Sequence, residues 1–523
     1  MRDEGHRHPI MGVPGVRVGI GLMLVTLAIA AGVPVSAVAA PPKATTETAI
    51  GVRYEEATLK GAVNPEGSET SYWFEDGETE SYGTKIPVSP ASVGSGTSDV
   101  SVRQLVTGLS QSTTYHFRIV AKGETTTEGK DLTFTTAGFD FEFGEEGFGN
   151  GQLSQPYDAA VDAEGNVWIT DTGNNRVQKF NPKGEYLSQF GKEGAGNGEF
   201  KSPKGIAIES EGNIWVVDSG NNRVQKFNSK GEYLSQFGEK GSEAGQFNFP
   251  TGIAFDGADR PFIVDTGNNR VEKFNGSFKF LSQFGKEGTG NGEFKSPQGI
   301  EIDAGGRMWI ADTGNNRVQR FAASTSNYTS QFGEKGAGDG KFESPIGIAS
   351  DFQERVWVVD SGNNRVEKFD YKAGNEFLDK IGTAGSGVGQ LNAPAGVVSP
   401  AAKKLLVVDA GNNRVEDWTV KAEAPTSASS PASDIKANSA TLHATLNPEA
   451  FATTYYFEWG LTTSYGNQVP IPPESIGSGL SNLQVEQAIS GLSQSTVYHF
   501  TVVAESEAGT SYGKDRTFKT LTP

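Results

Sequence analysis

Six copies of a short polar motif contain the side chains in this sequence that are best suited to chemistry. The first copy reads DTGNNRVQKF at residues 171–180; its Asp and Asn oxygens could bind a cation and its Arg an anion. The Asp and Arg positions of the six copies are Asp171 and Arg176, Asp218 and Arg223, Asp265 and Arg270, Asp312 and Arg317, Asp360 and Arg365, and Asp409 and Arg414. A small ligand is held by an asymmetric subset of side chains, yet these residues are nearly the same in every copy. We therefore interpret the motif as a turn that the fold needs six times.

The residue types of the motif specify such a turn. An Asp side chain can accept hydrogen bonds from backbone N–H groups two residues further on, and Gly and Asn tolerate a positive φ. The Arg is expected to form a charge-assisted pair with a carboxylate of its own repeat or of a neighbouring one. We therefore assign the twelve Asp and Arg positions a structural role, and we predict no catalytic residue among them.

The spacing of the motifs defines a repeat of 47 to 49 residues. A proline precedes each motif Asp by 15 residues, and a Phe-Gly or Ile-Gly pair begins 13 residues before each proline. Within one repeat, the segments 205–209, 213–218, 223–227 and 232–238 are short, apolar or alternating, and separated by turn residues. A period in the forties with four short strands is typical of a β-propeller blade.

The two ends of the repeated region are offset from each other. The segment FDFEFG at 139–144 is a fourth strand without three preceding strands, whereas the last repeat ends without its fourth strand. We expect the first segment to complete the last blade, because such closure leaves no unpaired sheet edges. The sequence thus predicts an all-β protein with a six-bladed β-propeller that is closed by its N-terminal strand.

The flanking segments repeat each other. ATLKGAVNPEG from Ala57 is similar to ATLHATLNPEA from Ala440, and each flank contains about 90 residues of short alternating strands. Tyr115 and Tyr498 occupy the place of a tyrosine corner, which predicts two β-sandwiches. The predicted parts of the chain are a signal peptide (1–39), a sandwich (45–137), the propeller (138–420), a flexible linker (421–435) and a second sandwich (436–521).

The in-phase D-[TSA]-G-N-N-R-V motifs, with the Q-F-G and P-x-G-I segments around them, resemble the NHL repeat over residues 138–420. The flanks resemble fibronectin type III domains through their corner and strand spacing. The NHL resemblance implies a six-bladed propeller that usually binds proteins, RNA or sugars and only sometimes catalyses a reaction.

Composition and the N-terminus restrict the location and the chemistry. Basic residues precede an apolar run at 18–33 and a small-residue site at Ala37 to Ala39, which predicts an export signal; the alternative is an anchor that is kept. We expect a secreted or cell-envelope monomer without a membrane span after cleavage. The chain has no Cys, and residues 138–421 contain no His, so the histidine chemistry of related propeller enzymes is absent there. The net charge of −18 disfavours a nucleic-acid partner.

Function is expected where the repeat is broken. One matched position in the first strand of each repeat holds Ala160, Ala207, Ala254, Glu301, Ala349 and Val398. Glu301 is therefore a candidate binding residue near the central channel; the alternative is an ion pair with a nearby Arg or Lys. In contrast, Trp168, Trp215, Phe262, Trp309, Trp357 and Leu406 lie three residues before the motif Asp and are expected to form the core.

These observations favour a binding or scaffold protein without a metal or cofactor. We expect both sandwiches on the propeller face opposite the motif loops, close to each other, so that the motif-loop face is free to engage a protein or a glycan. The alternative hypothesis is a calcium-dependent hydrolase of the lactonase or carbohydrate type, with oxygen ligands only and a channel carboxylate.

Overall fold

The computed structural model describes residues 40–50, 52, 56–111, 113–463 and 465–522. The predicted signal peptide at 1–39 lies outside these residues. The regular secondary structure of the described chain is β-strand, apart from a short 3-10 turn in each motif: Thr172–Asn174, Ser219–Asn221, Thr266–Asn268, Thr313–Asn315, Ser361–Asn363 and Ala410–Asn412. No helix in the described ranges has the length and apolarity needed to cross a membrane.

The first sandwich pairs a three-stranded sheet in the order β1-β2-β5 with a sheet in the order β4-β3-β6-β7, in which β8 also pairs with β6. Its strands are β1 (Lys43–Ile50), β2 (Glu56–Asn64), β3 (Thr70–Gly77), β4 (Thr84–Gly94), β5 (Val100–Thr107), β6 (Thr114–Lys122), β7 (Thr126–Glu128) and β8 (Leu132–Thr135). The Tyr115 hydroxyl accepts a hydrogen bond from Ser110 N at 2.9 Å. The predicted tyrosine corner is therefore present.

The middle of the chain forms, within the described residues, six four-stranded antiparallel sheets. Their strands are β9 (Gly138–Phe143), β10 (Ala159–Val161), β11 (Val167–Asp171), β12 (Arg176–Phe180), β13 (Tyr186–Phe190), β14 (Pro203–Ile208), β15 (Ile214–Asp218), β16 (Arg223–Phe227), β17 (Tyr233–Phe237), β18 (Ile253–Phe255), β19 (Pro261–Asp265), β20 (Arg270–Phe274), β21 (Phe280–Phe284), β22 (Ile300–Ile302), β23 (Arg307–Asp312), β24 (Arg317–Ala322), β25 (Asn327–Phe332), β26 (Pro345–Ser350), β27 (Val356–Asp360), β28 (Arg365–Asp370), β29 (Glu376–Ile381), β32 (Val397–Val398), β33 (Lys404–Asp409) and β34 (Arg414–Thr419). Two further short strands, β30 (Thr383–Ala384) and β31 (Gln390–Leu391), pair with each other in parallel in the loop before β32. We number the sheets as blades one to six, beginning with β10 to β13.

The sheets close into a ring. The first strands of successive blades contact one another, and β32 of the sixth blade contacts β10 of the first. The sixth sheet has the order β32-β33-β34-β9, with Phe143 opposite Val415 and Gly138 opposite Thr419. The predicted closure by the N-terminal strand is therefore confirmed, and so is the predicted all-β propeller fold.

The core of the ring lies between the blades. The second strand of each blade is buried on both faces because neighbouring blades cover it, so VWITD at 167–171 is apolar apart from its last two residues. The six predicted core residues at one position of this strand are at most 4% exposed: Trp168, Trp215, Phe262, Trp309, Trp357 and Leu406. The fourth strands are half exposed, in agreement with their alternating pattern.

The second sandwich has the same topology as the first, with sheet orders β35-β36-β39 and β38-β37-β40-β41, and with β42 on β40. Its strands are β35 (Thr426–Ser433), β36 (Ser439–Asn447), β37 (Thr453–Gly460), β38 (Asn467–Gly477), β39 (Leu483–Ser490), β40 (Val497–Ser506), β41 (Gly509–Tyr512) and β42 (Arg516–Lys519). Tyr498 forms the corresponding corner with Ser493 N at 2.9 Å. The resemblance of both sandwiches to fibronectin type III domains stays a prediction.

The predicted flexible linker at 421–435 is wrong for most of its length. Residues 426–433 form β35, which pairs with β36 in the order Thr426 opposite Asn447 to Ser433 opposite Thr441. The Ser429 side chain is buried and accepts a hydrogen bond from Val502 N at 3.2 Å. The small polar residues of this segment resemble a linker in composition, but pairing with a neighbouring strand overrides that weak local preference.

The second sandwich contacts the propeller away from the motif loops, and the two sandwiches contact each other. Gln353, in the turn between β26 and β27, donates hydrogen bonds to the carbonyls of Glu423 and Glu449 at 2.9 and 3.0 Å. Lys60 of the first sandwich lies 2.6 Å from Glu505 of the second. This turn and the motif turn of the same blade are at opposite ends of strand β27, so these contacts of the second sandwich leave the motif-loop face open.

Candidate functional site

The motif Asp ties the turn to the loop that precedes its own blade. Asp171 is fully buried; its Oδ1 accepts a hydrogen bond from Ser154 N at 2.7 Å, and its Oδ2 accepts one from Arg176 Nε at 2.7 Å. The turn itself has no hydrogen bond from its backbone to the Asp171 side chain. The predicted Asx-type turn is therefore wrong, because the carboxylate is directed at a loop distant in sequence and at the Arg of its own motif.

The motif Arg fixes the same loop. Arg176 donates from Nη1 to the carbonyl of Phe148 at 2.9 Å, and from Nη2 to the carbonyls of Gly149 and Gln152 at 2.8 Å each. The equivalent Arg makes matching bonds to loop carbonyls in the other five blades: Arg223, Arg270, Arg317, Arg365 and Arg414. The guanidinium is thus occupied by backbone carbonyls and has a structural role in each blade.

The last Asn of the motif joins neighbouring blades. Asn175 has a left-handed backbone with φ of 54°, and its Oδ1 accepts a hydrogen bond from Ser202 N of the next blade at 2.8 Å. The equivalent bond recurs around the ring, and in the last of them Gln155 N, before blade one, donates to Asn413 Oδ1 of blade six at 2.8 Å. Glycine is required at position 173 for steric reasons rather than for a positive φ, because a Cβ there would lie 2.8 Å from the Ser154 carbonyl oxygen. We call this set of hydrogen bonds from the motif Asp, Arg and last Asn the clasp, because it holds each motif to the loop of its own blade and to the next blade.

Replacing Arg223 by alanine is expected to destabilise the propeller by about 3–5 kcal/mol, because the buried Asp218 would keep its charge without its partner. Arg223→Lys should restore little of this stability, since an ammonium group cannot reach three carbonyls as a planar fork does. Urea unfolding followed by tryptophan fluorescence measures the loss. Lys341→Ala is the control, because its ion pair with Glu334 is exposed to solvent and contributes little to stability. An Arg223→Lys protein as stable as wild type would contradict the clasp.

Glu301 lies where the sequence places it, on the wall of the central channel. The first strands of all six blades line a cavity of about 320 Å³ there. Glu301 Oε1 accepts hydrogen bonds from Ser350 Oγ at 2.6 Å and from Ser350 N at 3.3 Å, and burial raises the pKa of the carboxyl. The alternative of an ion pair is wrong in the described part of the chain, because a serine of the next blade satisfies this carboxylate.

A second carboxylate, Asp158, also lines the channel, and it is not among the site residues predicted from the sequence. It occupies the position of a glycine that is present in the other five repeats: Gly205, Gly252, Gly299, Gly347 and Gly396. Its Oδ1 accepts a hydrogen bond from Ala159 N at 2.9 Å and its Oδ2 one from Ile206 N at 3.2 Å. Burial raises the pKa of Asp158 to about 7. Comparison of the P-x-G-I segments would have revealed this break, which lies only two residues from the compared Ala position.

The channel is closed at the motif-loop face. The residues that follow the repeat prolines meet there, and they differ in every blade: Tyr157, Lys204, Thr251, Gln298, Ile346 and Ala395. The Tyr157 hydroxyl of blade one donates a hydrogen bond to Gln298 Oε1 of blade four at 2.6 Å. Because these blades are opposite each other in the ring, this bond spans the channel mouth. Lys204 Nζ lies 4.6 Å from the centre of the Tyr157 ring, and burial lowers the pKa of Lys204.

A cleft of about 680 Å³ lies beside this mouth, between blades two and three. Three lysines line it, and we call it the basic cleft: Lys201, Lys204 and Lys240, with Ser202, Ser219, Gly220, Asn222, Phe249, Thr251, Thr266 and Gln298 around them. No carboxylate is among these described lining residues. Phe249 is 56% exposed and has a φ of 48°. The cleft therefore joins positive charge, polar groups and one exposed aromatic ring.

One group in the described residues has the composition of a metal site, and it lies in the first sandwich: Glu80, His116 and Asp131. His116 Nδ1 is 2.8 Å from Asp131, and the Tyr82 hydroxyl donates to Asp131 at 2.9 Å. The second sandwich repeats the His–Asp–Tyr arrangement with His499, Asp515 and Tyr465, at 3.0 Å each. Because both sandwiches share these bonds, we interpret them as structural links between strands.

Family models match parts of the propeller. Residues 159–238 match a family described as a 6-bladed beta-propeller, and residues 294–321 match the NHL repeat. The predicted NHL-type repeat and propeller are confirmed over these segments.

Two curated proteins match over about one repeat each. The chain is 45% identical over 47 residues to Protein lin-41 of Caenorhabditis elegans, and 46% identical over 44 residues to the E3 ubiquitin-protein ligase TRIM71 of Rattus norvegicus. These segments are 9% and 8% of this chain, and they span only 4% and 5% of the two relatives.

Several solved structures are similar to the chain at low sequence identity. Virginiamycin B lyase from Staphylococcus aureus is 17% identical with a TM-score of 0.37, covering 51% of this chain and 94% of that one. A structural genomics protein from Bacteroides thetaiotaomicron is 15% identical with a TM-score of 0.44, covering 73% and 98%. A gluconolactonase of Xanthomonas campestris is 12% identical with a TM-score of 0.39, covering 52% and 87%.

Proposed function

We propose that this chain is an exported binding protein whose motif-loop face engages a protein partner. The observation that carries the proposal is the concentration of non-repeated residues on this face, in the basic cleft and at the channel mouth. The repeated polar residues around them are occupied by structural hydrogen bonds, so the residues that differ between blades are those available for recognition. NHL repeats are generally protein-interaction modules, which supports the proposal.

The distribution of exposed apolar side chains supports the same face. Phe148 is 83% exposed and Phe249 is 56% exposed, and both lie in loops that precede the first strands at the motif-loop face. Exposed aromatic residues within a polar surround are enriched at protein interfaces. The opposite face is already in contact with the second sandwich through Gln353 and Arg355, which lies 3.2 Å from Glu449.

Selection from a displayed library of peptides and small domains tests the proposal on the complete chain. We expect selected ligands to lose binding to a Phe148→Ser/Phe249→Ser double variant. They should keep binding to a Leu281→Ser variant, which removes an exposed apolar residue from the outer strand β21. Ligands that bind both variants equally would contradict the proposed face, and ligands found only on a glycan array would replace the protein partner by a glycan.

The alternative function is a calcium-dependent hydrolase that uses the channel carboxylates Asp158 and Glu301, which favour it by lining one cavity. Calcium takes six to eight oxygen ligands, whereas these two carboxylates already accept hydrogen bonds from backbone or serine. We therefore expect calcium to leave the Tm of the wild type and of Glu301→Gln unchanged in thermal melts. A calcium-dependent rise in Tm that Glu301→Gln abolishes would favour the hydrolase instead.

A further inference from the structure

The basic cleft combines positive charges that the rest of the chain does not balance locally. The protein has a net charge of −18, yet Lys201, Lys204 and Lys240 line one cleft without a carboxylate among its described lining residues. None of the three forms an ion pair within the described chain. Like charges in one cleft repel each other and focus a positive potential toward solvent, so this arrangement favours an anionic occupant.

Only this cleft combines lysines at all three positions, because Lys201 recurs only as Lys295 of blade four and no other blade has a lysine at the position of Lys204. Lys240 is replaced by Glu146, Glu193 and Glu287 in three blades. Lys335 occupies the same position in blade five but lies 3.3 Å from Glu343, so its charge is paired. Lys204 is half-buried over the Tyr157 ring, in contrast to the exposed Lys201 and Lys240. The cleft thus provides one half-buried and two exposed ammonium groups.

The other lining residues restrict the kind of anion. Arg, which recognises phosphate and carboxylate through a planar fork, does not line the cleft in the described residues. Phe249 offers an exposed aromatic surface at the rim. The Asn222 Oδ1 atom and the hydroxyls of Thr251 and Thr266 already take part in hydrogen bonds within the ring, so the lysines and Phe249 are the groups left for a ligand. A volume of about 680 Å³ is that of a site for a small ligand or a few residues of chain. A long polyanion would also meet repulsion from the acidic remainder of the protein.

We propose that the basic cleft binds a short acidic polypeptide segment, with its carboxylates on the three lysines and an adjacent apolar side chain on Phe249. This inference rests on the proposed function, because it names the chemistry of the partner that the motif-loop face receives. The carboxylates of the segment neutralise the three lysines, and the exposed Phe249 ring packs against the apolar side chain of the segment.

Fluorescence anisotropy with the complete chain tests this assignment. The probe is a labelled glutamate-rich octapeptide with one leucine, compared with the same peptide containing glutamine in place of glutamate. We expect the glutamate peptide to bind at least tenfold more tightly, and its affinity to fall as the salt concentration rises. Lys201→Glu/Lys240→Glu should weaken binding at least tenfold, whereas Lys335→Glu should leave it unchanged. Equal binding of both peptides, or equal losses in both lysine variants, would overturn the proposal.

A second measurement does not depend on the variants. Acetylation of surface lysines in the wild type, read by mass spectrometry, should be slowed by the glutamate peptide at Lys201 and Lys240 but not at Lys335. Single-stranded RNA and a polyuronate of equal charge are the competing ligands, and tighter binding of either would overturn the choice of a polypeptide. If the ligands selected from the library bind the motif-loop face but contain no acidic residues, the assignment of the cleft fails while the proposed function stands. If no ligand depends on this face, both fail.

Discussion

Replacing Glu272, Glu367 and Glu416 together by glutamine is expected to raise the free energy of unfolding by several kcal/mol above pH 7. The three residues occupy one position of the third strand in blades three, five and six, and each is fully buried. In blades one, two and four this position is already glutamine: Gln178, Gln225 and Gln319. Three blades of the natural chain thus already have the glutamine that the variant introduces into the other three.

The glutamine completes the clasp, whereas the glutamate opposes it. Gln178 donates from Nε2 to Asp171 at 3.0 Å and to the Gln152 carbonyl at 2.6 Å, and it accepts from Gly151 N at 3.0 Å. A carboxylate at this position cannot donate, and it brings a second negative charge beside the buried Asp of the motif.

The three glutamates are compensated only in part. In blade three, Glu272 shares Arg270 with Asp265, at 2.6 and 2.8 Å respectively, and accepts from Gly245 N at 2.9 Å. One arginine thus serves two buried carboxylates, and a buried charge without a full set of partners is costly.

The cost depends on pH in a definite direction. Burial raises the pKa of Glu272 and Glu367 to about 7 and that of Glu416 to about 8, from 4.5 for an ordinary glutamate. A group with a higher pKa in the folded state binds its proton more tightly when folded. The contribution of these three groups to the free energy of unfolding therefore falls as the pH rises from about 4.5 to about 8, and it is constant beyond this range.

Thermal melts between pH 4 and pH 9 measure the effect, with tryptophan fluorescence as the signal because five of the seven tryptophans lie in the propeller. The triple glutamine variant should melt about 10 °C higher than wild type at pH 8 and at a similar temperature at pH 4. Gln225→Glu is the reciprocal control, and it should lower the Tm at pH 8 but not at pH 4. A triple variant whose gain is the same at pH 4 and pH 8 would contradict ionisation as the cause.

The sequence predicts the features that depend on the period of the repeat. The phase of the motifs is sufficient to assign the propeller, the buried Trp168 position and the closure by residues 139–144, because each follows from counting along the chain. The partners of Asp171 could not be counted in this way. Its hydrogen bond from Ser154 N forms only when the preceding loop folds back over the turn, and this tertiary contact replaces the local turn chemistry.

The candidate site was predicted only in part, for a similar reason. Glu301 was found because it breaks a matched position, and Asp158 could have been found in the same way at the neighbouring glycine. The basic cleft could not, since Lys201 and Lys240 belong to different repeats and converge only when the loops of neighbouring blades lie side by side. In the sequence, these two lysines are separate substitutions in two different loops. Nothing in the sequence indicates that they share a cleft until the positions of the two blades are known.

Removing residues 139–144 is expected to destabilise the whole propeller in one cooperative step. Strand β9 supplies the fourth strand of blade six, and its Phe143 is buried against Phe180 of blade one, with ring centres 5.0 Å apart. Glu142 also lies 2.6 Å from Arg414, where blades one to four place a glutamine, as with Gln189 at 2.8 Å from Arg176. Loss of the strand would expose both the edge of β34 and the contact between blades six and one.

The point variant Phe143→Ala separates this effect from the loss of the preceding sandwich. It should cost about 3–5 kcal/mol, as for a large residue removed from a packed core. Phe190→Ala, at the same position of blade one, is the matched control. The two variants should differ in whether the fourth strand detaches from its blade. Strand β13 is tied to β12 by a short turn, whereas β9 meets β34 from a distance of more than 250 residues in the sequence.

Detachment of β9 therefore releases much more chain entropy than detachment of β13. Limited proteolysis should detect the difference as early cleavage near Gly138 in Phe143→Ala and no such cleavage in Phe190→Ala. A propeller that melts unchanged after deletion of residues 139–144 would contradict the closed ring. Such a result would mean that the contact between β32 and β10 holds blades six and one together without the shared strand, whereas the buried area and the ion pair of β9 indicate that the strand is what keeps the ring closed.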